Sequence, residues 1–230
     1  MRNRYSRQIA IPEFGKEGQL KLEKARVLVI GCGALGSMVA MQLAGAGVKY
    51  IGIADYDTID VSNLQRQFFF HTEEAGLPKA EILKLRMKSL NPEIDVLVYK
   101  EMITISKAEN IFDEYDFIID ATDNPDSKRM TGEISSQKKK SCCIGGVRDF
   151  SGQVLTLKYS DARFEDYFGQ VSSQGFLPCS LGGVIGPAAA LCASVQTSEA
   201  IKYITGIGNL LSGKLFIFNL LTNSFKTFNL

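Results

Sequence analysis

The apolar run Arg26-Val-Leu-Val-Ile-Gly31 leads directly into Gly31-Cys-Gly-Ala-Leu-Gly36, and this junction narrows the available folds more than any other stretch. A strand-length run without polar interruption reads as a strand covered on both faces, the usual state of a strand inside a parallel sheet. The G-x-G-x-x-G that follows permits a tight turn and lets a phosphate approach backbone N–H groups at the start of the next, Ala-rich helix. A second apolar strand, Tyr50-Ile-Gly-Ile-Ala-Asp55, ends in a carboxylate about 20 residues on, where ribose hydroxyls can be held. Residues 81–90 carry Leu83, Met87 and Leu90 at helical spacing, with Pro78 at the first turn. Two further strands read as 94–99 and 116–121. This β-α-β-α-β alternation predicts an α/β fold, a Rossmann-like doubly wound and mostly parallel sheet.

The flanking regions are simpler. Residues 15–24 read as a polar helix before the first strand, and 141–146 and 153–159 as strands joined by a turn near 148–152. Residues 159–182 lack periodicity and read as a long surface loop, of the kind that in compact domains is functional or disordered. A helix over about 188–204 follows, and the end alternates around Thr222-Asn223 as an antiparallel hairpin. With no repeat and no Pro/Gly/Ser-rich linker, residues 1–230 read as one domain, a length suited to a single large core.

Composition excludes several classes. Basic and acidic residues number 26 and 25, so no broad electrostatic footprint for nucleic acid is expected. No apolar run reaches the roughly 18–20 residues that cross a bilayer, and residues 1–16 lack the apolar core of a signal peptide. Five scattered cysteines argue against a disulfide framework. A soluble cytoplasmic enzyme with neither nucleic-acid nor membrane partner is the expectation.

The glycine-rich turn alone serves a dinucleotide dehydrogenase and an ATP enzyme equally well, or a tight turn with no nucleotide. Three later stretches separate these readings: Ser62-Asn-Leu-Gln-Arg-Gln67 after the second strand, Gly76-Leu-Pro-Lys79 at a helix start, and Asp120-Ala-Thr-Asp-Asn124 after a later strand. In open α/β sheets ligands bind outside the carboxyl ends of the strands. Asp55, Arg66 and Asp123 fall just beyond such ends. Lys79 opens a helix returning to the same edge, and lies four residues before Leu83, so its stem can follow the buried face. Singly, Arg66 and Lys79 read as surface charges and Asp123 as a turn residue or cap. Jointly, these cations and carboxylates beside a phosphate loop suit a triphosphate with magnesium, a cluster that hydride transfer does not need.

These residues resemble the ThiF/MoeB/HesA adenylyltransferases, bacterial relatives of ubiquitin-activating enzymes. The resemblance is carried by Arg4-Tyr-Ser-Arg-Gln8, Gly31 to Gly36, Asp55-Tyr-Asp57, Asn63-Leu-Gln-Arg-Gln67, Pro78-Lys79, Thr122-Asp-Asn124 and Gly183-Val-Ile-Gly-Pro187. It implies adenylation, with MgATP, of the C-terminal Gly-Gly of a ubiquitin-like sulfur-carrier protein by a homodimer. It assigns nucleotide contacts to Gly31, Gly33, Ala34 and Gly36 in the glycine loop. Asp55 would hold the ribose with Asp57 beside it, and Asn63, Arg66 and Lys79 the phosphates, flanked by Ser62, Gln67 and Asn124. Asp123 would hold magnesium, and Arg7 would reach across the dimer into the partner's ATP site. Thiamin thiazole and molybdopterin synthesis are the pathways implied.

Cys179 falls in Leu177-Pro-Cys-Ser-Leu-Gly-Gly183, where relatives carry a loop cysteine that takes part in sulfur transfer; a small apolar role is the alternative. Cys32, Cys142, Cys143 and Cys192 read as packing residues, and His71 as a core or surface residue without catalytic partners. Many relatives hold zinc with paired C-x-x-C motifs; here residues 164–168 read Phe-Glu-Asp-Tyr-Phe and Leu230 ends the sequence, so no structural zinc is expected. A tRNA-modifying dehydratase of the same superfamily and a non-catalytic scaffold for a ubiquitin-like protein are the competing functions.

Overall fold

A computed structural model describes residues 3–160 and 183–230. Its eight strands form a single sheet in the order β3-β2-β1-β4-β5-β6-β7-β8. The strands are β1 (Arg26–Ile30), β2 (Tyr50–Ala54), β3 (Asp95–Tyr99), β4 (Phe117–Asp120), β5 (Ser141–Arg148), β6 (Ser151–Leu157), β7 (Lys214–Asn219) and β8 (Ser224–Asn229). Pairing is parallel from β3 through β5 and antiparallel from β5 to β8. The fold is thus α/β and Rossmann-like, with an antiparallel C-terminal extension.

Alternate residues of the central strands supply opposite faces, as the pleat requires. Val27, Val29, Ile51, Ile53, Phe117 and Ile119 pack into one core under α2 (Gly15–Leu22), α3 (Ala34–Ala46), α4 (Lys79–Leu90) and α7 (Gly186–Thr205). Leu28, Ile30, Ala54, Ile118, Cys142 and Ile144 pack into a second core under α5 (Ile105–Ile111) and α6 (Pro125–Gln137). Burial on both faces explains the uninterrupted apolar runs of β1 and β4.

The helices depart from the sequence reading in three places. α5 and α6 are additional to the expected elements, and a short α1 (Ser6–Ile9) precedes α2. Pro78 caps α4, which starts one residue later at Lys79. Leu90, expected on the buried face of α4, ends that helix and is 41 % exposed, whereas Ile82, Leu83 and Met87 are buried. The predicted loop over residues 159–182 lies almost wholly outside the described residues. Cys32, Cys142, Cys143 and Cys192 are fully buried packing residues, and burial pushes each thiol well up. Among the described residues no helix is long and apolar enough to cross a membrane.

Candidate functional site at the carboxyl edge of the sheet

The sheet reverses its winding between β1 and β4, and the loops after β1, β2 and β4 open onto that crevice. The glycine loop is fastened on both sides: Gly31 N–H donates to the Ala54 carbonyl at 2.8 Å, and Ala121 N–H donates to that of Ile30 at 2.9 Å. Gly31 has φ of 91°, the left-handed region in which a side chain is strained. A Cβ at Gly36 would stand 1.8 Å from the Gly31 carbonyl oxygen, so the first helical turn closes only over a bare backbone. Gly33 caps α3 and Ala34 begins it, leaving the free N–H groups of that helix facing the crevice.

Asp55 follows β2 and binds the loop directly. Its carboxylate accepts from Cys32 N–H at 2.6 Å and from Asp57 N–H at 2.8 Å. Burial raises its pKa, a shift opposed by those two backbone donors and by the nearby charge of Lys79. Lys79 is 5 % exposed, its stem running along the buried face of α4 with Leu83 as expected. Its ammonium reaches Asp57 Oδ2 at 3.1 Å. Tyr56 is exposed beside Asp55; desolvation raises its pKa, and the carboxylates of Asp57, Asp55 and Asp123 add to the shift. Asp123 is exposed on the loop after β4, and Asn124, not Asp123, caps α6 by accepting from Asp126 N–H at 2.9 Å.

The segment after β2 is ordered by its own short turn. Asp60 accepts from both N–H and Oγ of Ser62, which holds its carboxyl below the usual range. Arg66 donates to the Ser62 carbonyl at 3.1 Å, and Gln67 Nε2 donates to Asn63 Oδ1 at 3.0 Å. Gln67 is buried against Gly33, and its Oε1 has no hydrogen-bond partner among the described residues. A buried acceptor left open beside a phosphate-type loop is a place for a ligand donor.

Contacts thus join the glycine loop, Asp55, Asp57 and Lys79, and extend through Gly33 to Gln67 and Asn63, while Arg66 and Asp123 lie on the segments that follow β2 and β4. Arg7 lies elsewhere. It is exposed on α1, whose neighbour Gln8 donates to the Ala46 carbonyl at the far end of α3. The thirteen residues of α3 separate that end from the glycine loop by about 20 Å. Cys179 lies outside the described residues. His71 is a surface residue, with its ring beside Arg86 and Glu73. Sequence reasoning missed the hydrogen-bonded group behind the Asp123 turn, in which Ser127, Lys128 and Thr131 of α6 all donate to the buried Asp120 carboxylate. The Asn124-Pro125 pair, a cap followed by proline, was the available signal for the helix carrying them.

For a magnesium ion the edge offers the exposed carboxylate of Asp123. Among the described residues no group of three or more His, Cys, Asp or Glu side chains could hold a metal alone. That donor set fits an ion taking most of its ligands from water and substrate phosphates, as magnesium does.

The ThiF family model matches residues 5–230. A probable adenylyltransferase/sulfurtransferase MoeZ of Mycobacterium tuberculosis is 38 % identical over 97 % of the chain, which spans 59 % of that relative's length. A sulfur carrier protein adenylyltransferase of Thermus thermophilus is 34 % identical over 97 % of the chain and 85 % of its own length. Among solved structures, Escherichia coli MccB with MccA-N7isoASN superposes with a TM-score of 0.87 at 21 % identity, over the whole chain and 72 % of MccB, a likeness of fold. With nearly its entire length matched by the family model, the chain belongs to the ThiF family.

Proposed function

We propose that the chain is an ATP-dependent adenylyltransferase acting on the C-terminal glycine carboxylate of a small ubiquitin-like sulfur-carrier protein. The observation that supports this reading most is the linked set of Lys79, Asp57 and Asp55 on a bare glycine loop at a helix N-terminus, with Arg66 and Asp123 on the segments that follow β2 and β4. The names of the mycobacterial and Thermus relatives support the reaction and the carrier class.

In this reading the triphosphate lies along the glycine loop and the ribose at Asp55. Lys79 exchanges Asp57 for phosphate oxygens, so the cation is held in place before ATP arrives. Asp123 is the residue that would hold magnesium, which supplies charge neutralisation on the phosphates. The carrier's carboxylate attacks the α-phosphorus, the bond to the β-phosphate oxygen breaks, and pyrophosphate leaves with that electron pair. Carboxylate is already ionised at neutral pH, so no general base is required; catalysis rests on positioning and on cations placed where charge builds.

Arg7 enters only from a second copy, because its own helix sits at the opposite end of α3. This supports a homodimer with Arg7 acting across it. Residues 1–230 act as one domain, in the cytoplasm, for molybdopterin or thiamin-thiazole sulfur insertion, and Cys179 is the candidate sulfur-handling thiol. Carrier-dependent ATP–pyrophosphate exchange tests the assignment. Asp123→Ala is expected to cost at least about 10²-fold in exchange. Near wild-type exchange in that variant removes Asp123 from the reaction.

A further inference from the structure

The loop that presents Asp123 is held from below by a lysine. Lys128 lies in the first turn of α6, and its side chain is 16 % exposed while that of Asp120 is fully buried. The Lys128 ammonium donates to Thr122 O at 2.6 Å, to Gly145 O at 2.6 Å and to Asp120 Oδ1 at 3.2 Å. An ammonium has three N–H donors, and here each has an acceptor. The acceptors come from the end of β4, from the turn carrying Asp123, and from β5. The lysine therefore ties that turn to two adjacent strands.

Asp120 completes the arrangement. Its Oδ1 also accepts from Thr122 N–H at 3.0 Å and Thr122 Oγ1 at 2.8 Å, while Oδ2 accepts from Ser127 Oγ at 2.8 Å and Thr131 Oγ1 at 3.0 Å. Gln196 on α7 donates to the Asp120 carbonyl at 2.8 Å. Both ends of the Thr122–Asn124 turn are thus held, Thr122 by Asp120 and Lys128 and Asn124 by its cap on Asp126 N–H, while the Asp123 side chain is exposed between them. A buried ion pair is a poor way to gain stability, since desolvation offsets most of the attraction. It is an effective way to hold one geometry when every donor and acceptor is used.

We propose that Lys128 is a positioning residue for metal binding at Asp123, acting through Thr122 and Asp120 without touching nucleotide or metal. The inference rests on the assignment of magnesium to Asp123 made above. Supporting groups of this kind typically alter metal affinity by about 10- to 100-fold when removed.

The full-length chain with Lys128→Met, Lys128→Gln, Lys128→Arg and, separately, Asp123→Asn tests it. Mn2+ affinity in the presence of ATP is measured by electron paramagnetic resonance, alongside the apparent KM for Mg2+ in exchange and the melting temperature. Lys128→Met and Lys128→Gln are expected to weaken Mn2+ binding at least about tenfold and to raise the Mg2+ KM by a similar factor. The rate at saturating Mg2+ changes much less. Lys128→Arg, which keeps the charge and the donors, returns both values close to wild type. Wild-type Mn2+ affinity in either uncharged variant, failure of arginine to rescue, or folding lost in both uncharged variants overturns the positioning role. If Asp123→Asn weakens Mn2+ binding while the uncharged lysine variants do not, the positioning inference alone fails. If Asp123→Asn also binds Mn2+ normally, the assignment of Asp123 is what fails.

Discussion

The two halves of the sheet use the same hydrogen-bonding rules to opposite ends. From β3 to β5 the strands are parallel, β1, β2 and β4 are buried almost throughout, and their carboxyl ends deliver Asp55, Asp120 and the glycine loop to one crevice. From β5 to β8 the strands are antiparallel, and β8 ends the sheet with five of its six residues exposed. Phe225 and Phe228 are 54 % and 47 % exposed there. Parallel strands need crossover helices, which cover both faces and bring the carboxyl end of every strand to the same edge; antiparallel hairpins need none and leave a face bare. Polar chemistry thus concentrates where the backbone is most constrained, and substitutions should distinguish the two halves sharply.

The largest effect is expected at Gly36. A Cβ there would stand 1.8 Å from the Gly31 carbonyl oxygen, and backbone cannot move aside as a side chain tip can. Gly36→Ala should cost about 3 kcal/mol in urea unfolding and remove ATP binding in the folded fraction. A variant of wild-type stability would mean that the crevice tolerates slack, and the contrast between the halves would weaken.

A smaller, more local effect is expected where the segment bearing Arg66 meets α7. Gly186 has the Phe68 ring at 2.5 Å and the Gln65 carbonyl at 3.3 Å from where a Cβ would stand, and Gln65 donates to the Val184 carbonyl at 3.3 Å. Phe68 is half-exposed, so its ring can yield. Gly186→Ala should cost about 1 kcal/mol of stability and raise the KM for ATP about fivefold. A change in stability with no change in KM would separate this contact from the position of Arg66.

The same contrast explains what could be read in advance. β1, β2 and β4 announce themselves because strands covered on both faces must be apolar at every position. Lys79 and Asp55 were legible because sheet topology alone returns their elements to one edge. α6 was not: of its thirteen residues only Met130 and Ile134 supply large apolar side chains to the core, too few for a periodic signal. Lys128 was hidden for the same reason, since a lysine in a polar helix reads as a surface charge. Only the pairing of β5 beside β4 brings the Gly145 carbonyl to its ammonium. Leu90 failed in the other direction, because helical spacing marks a face but not where the helix outruns the neighbour covering it. Arg7 entered through resemblance alone, and its distance from the crevice in one chain could not be read from composition or spacing.

The smallest effect belongs to the far end of the sheet. Phe228 pairs across from Leu215 on the second face, while its neighbour Thr227 pairs with Phe216 on the first. Phe228 keeps close to half of its surface in water, so its replacement removes little buried area and leaves no enclosed void. Phe228→Ser should therefore change unfolding free energy by no more than about 1 kcal/mol and leave ATP affinity unaltered. Equilibrium unfolding and nucleotide titration on the same preparation check both. Loss of ATP affinity without loss of stability would show that the antiparallel half is coupled to the crevice through β5 and β6, and the division drawn between the two halves would then be wrong.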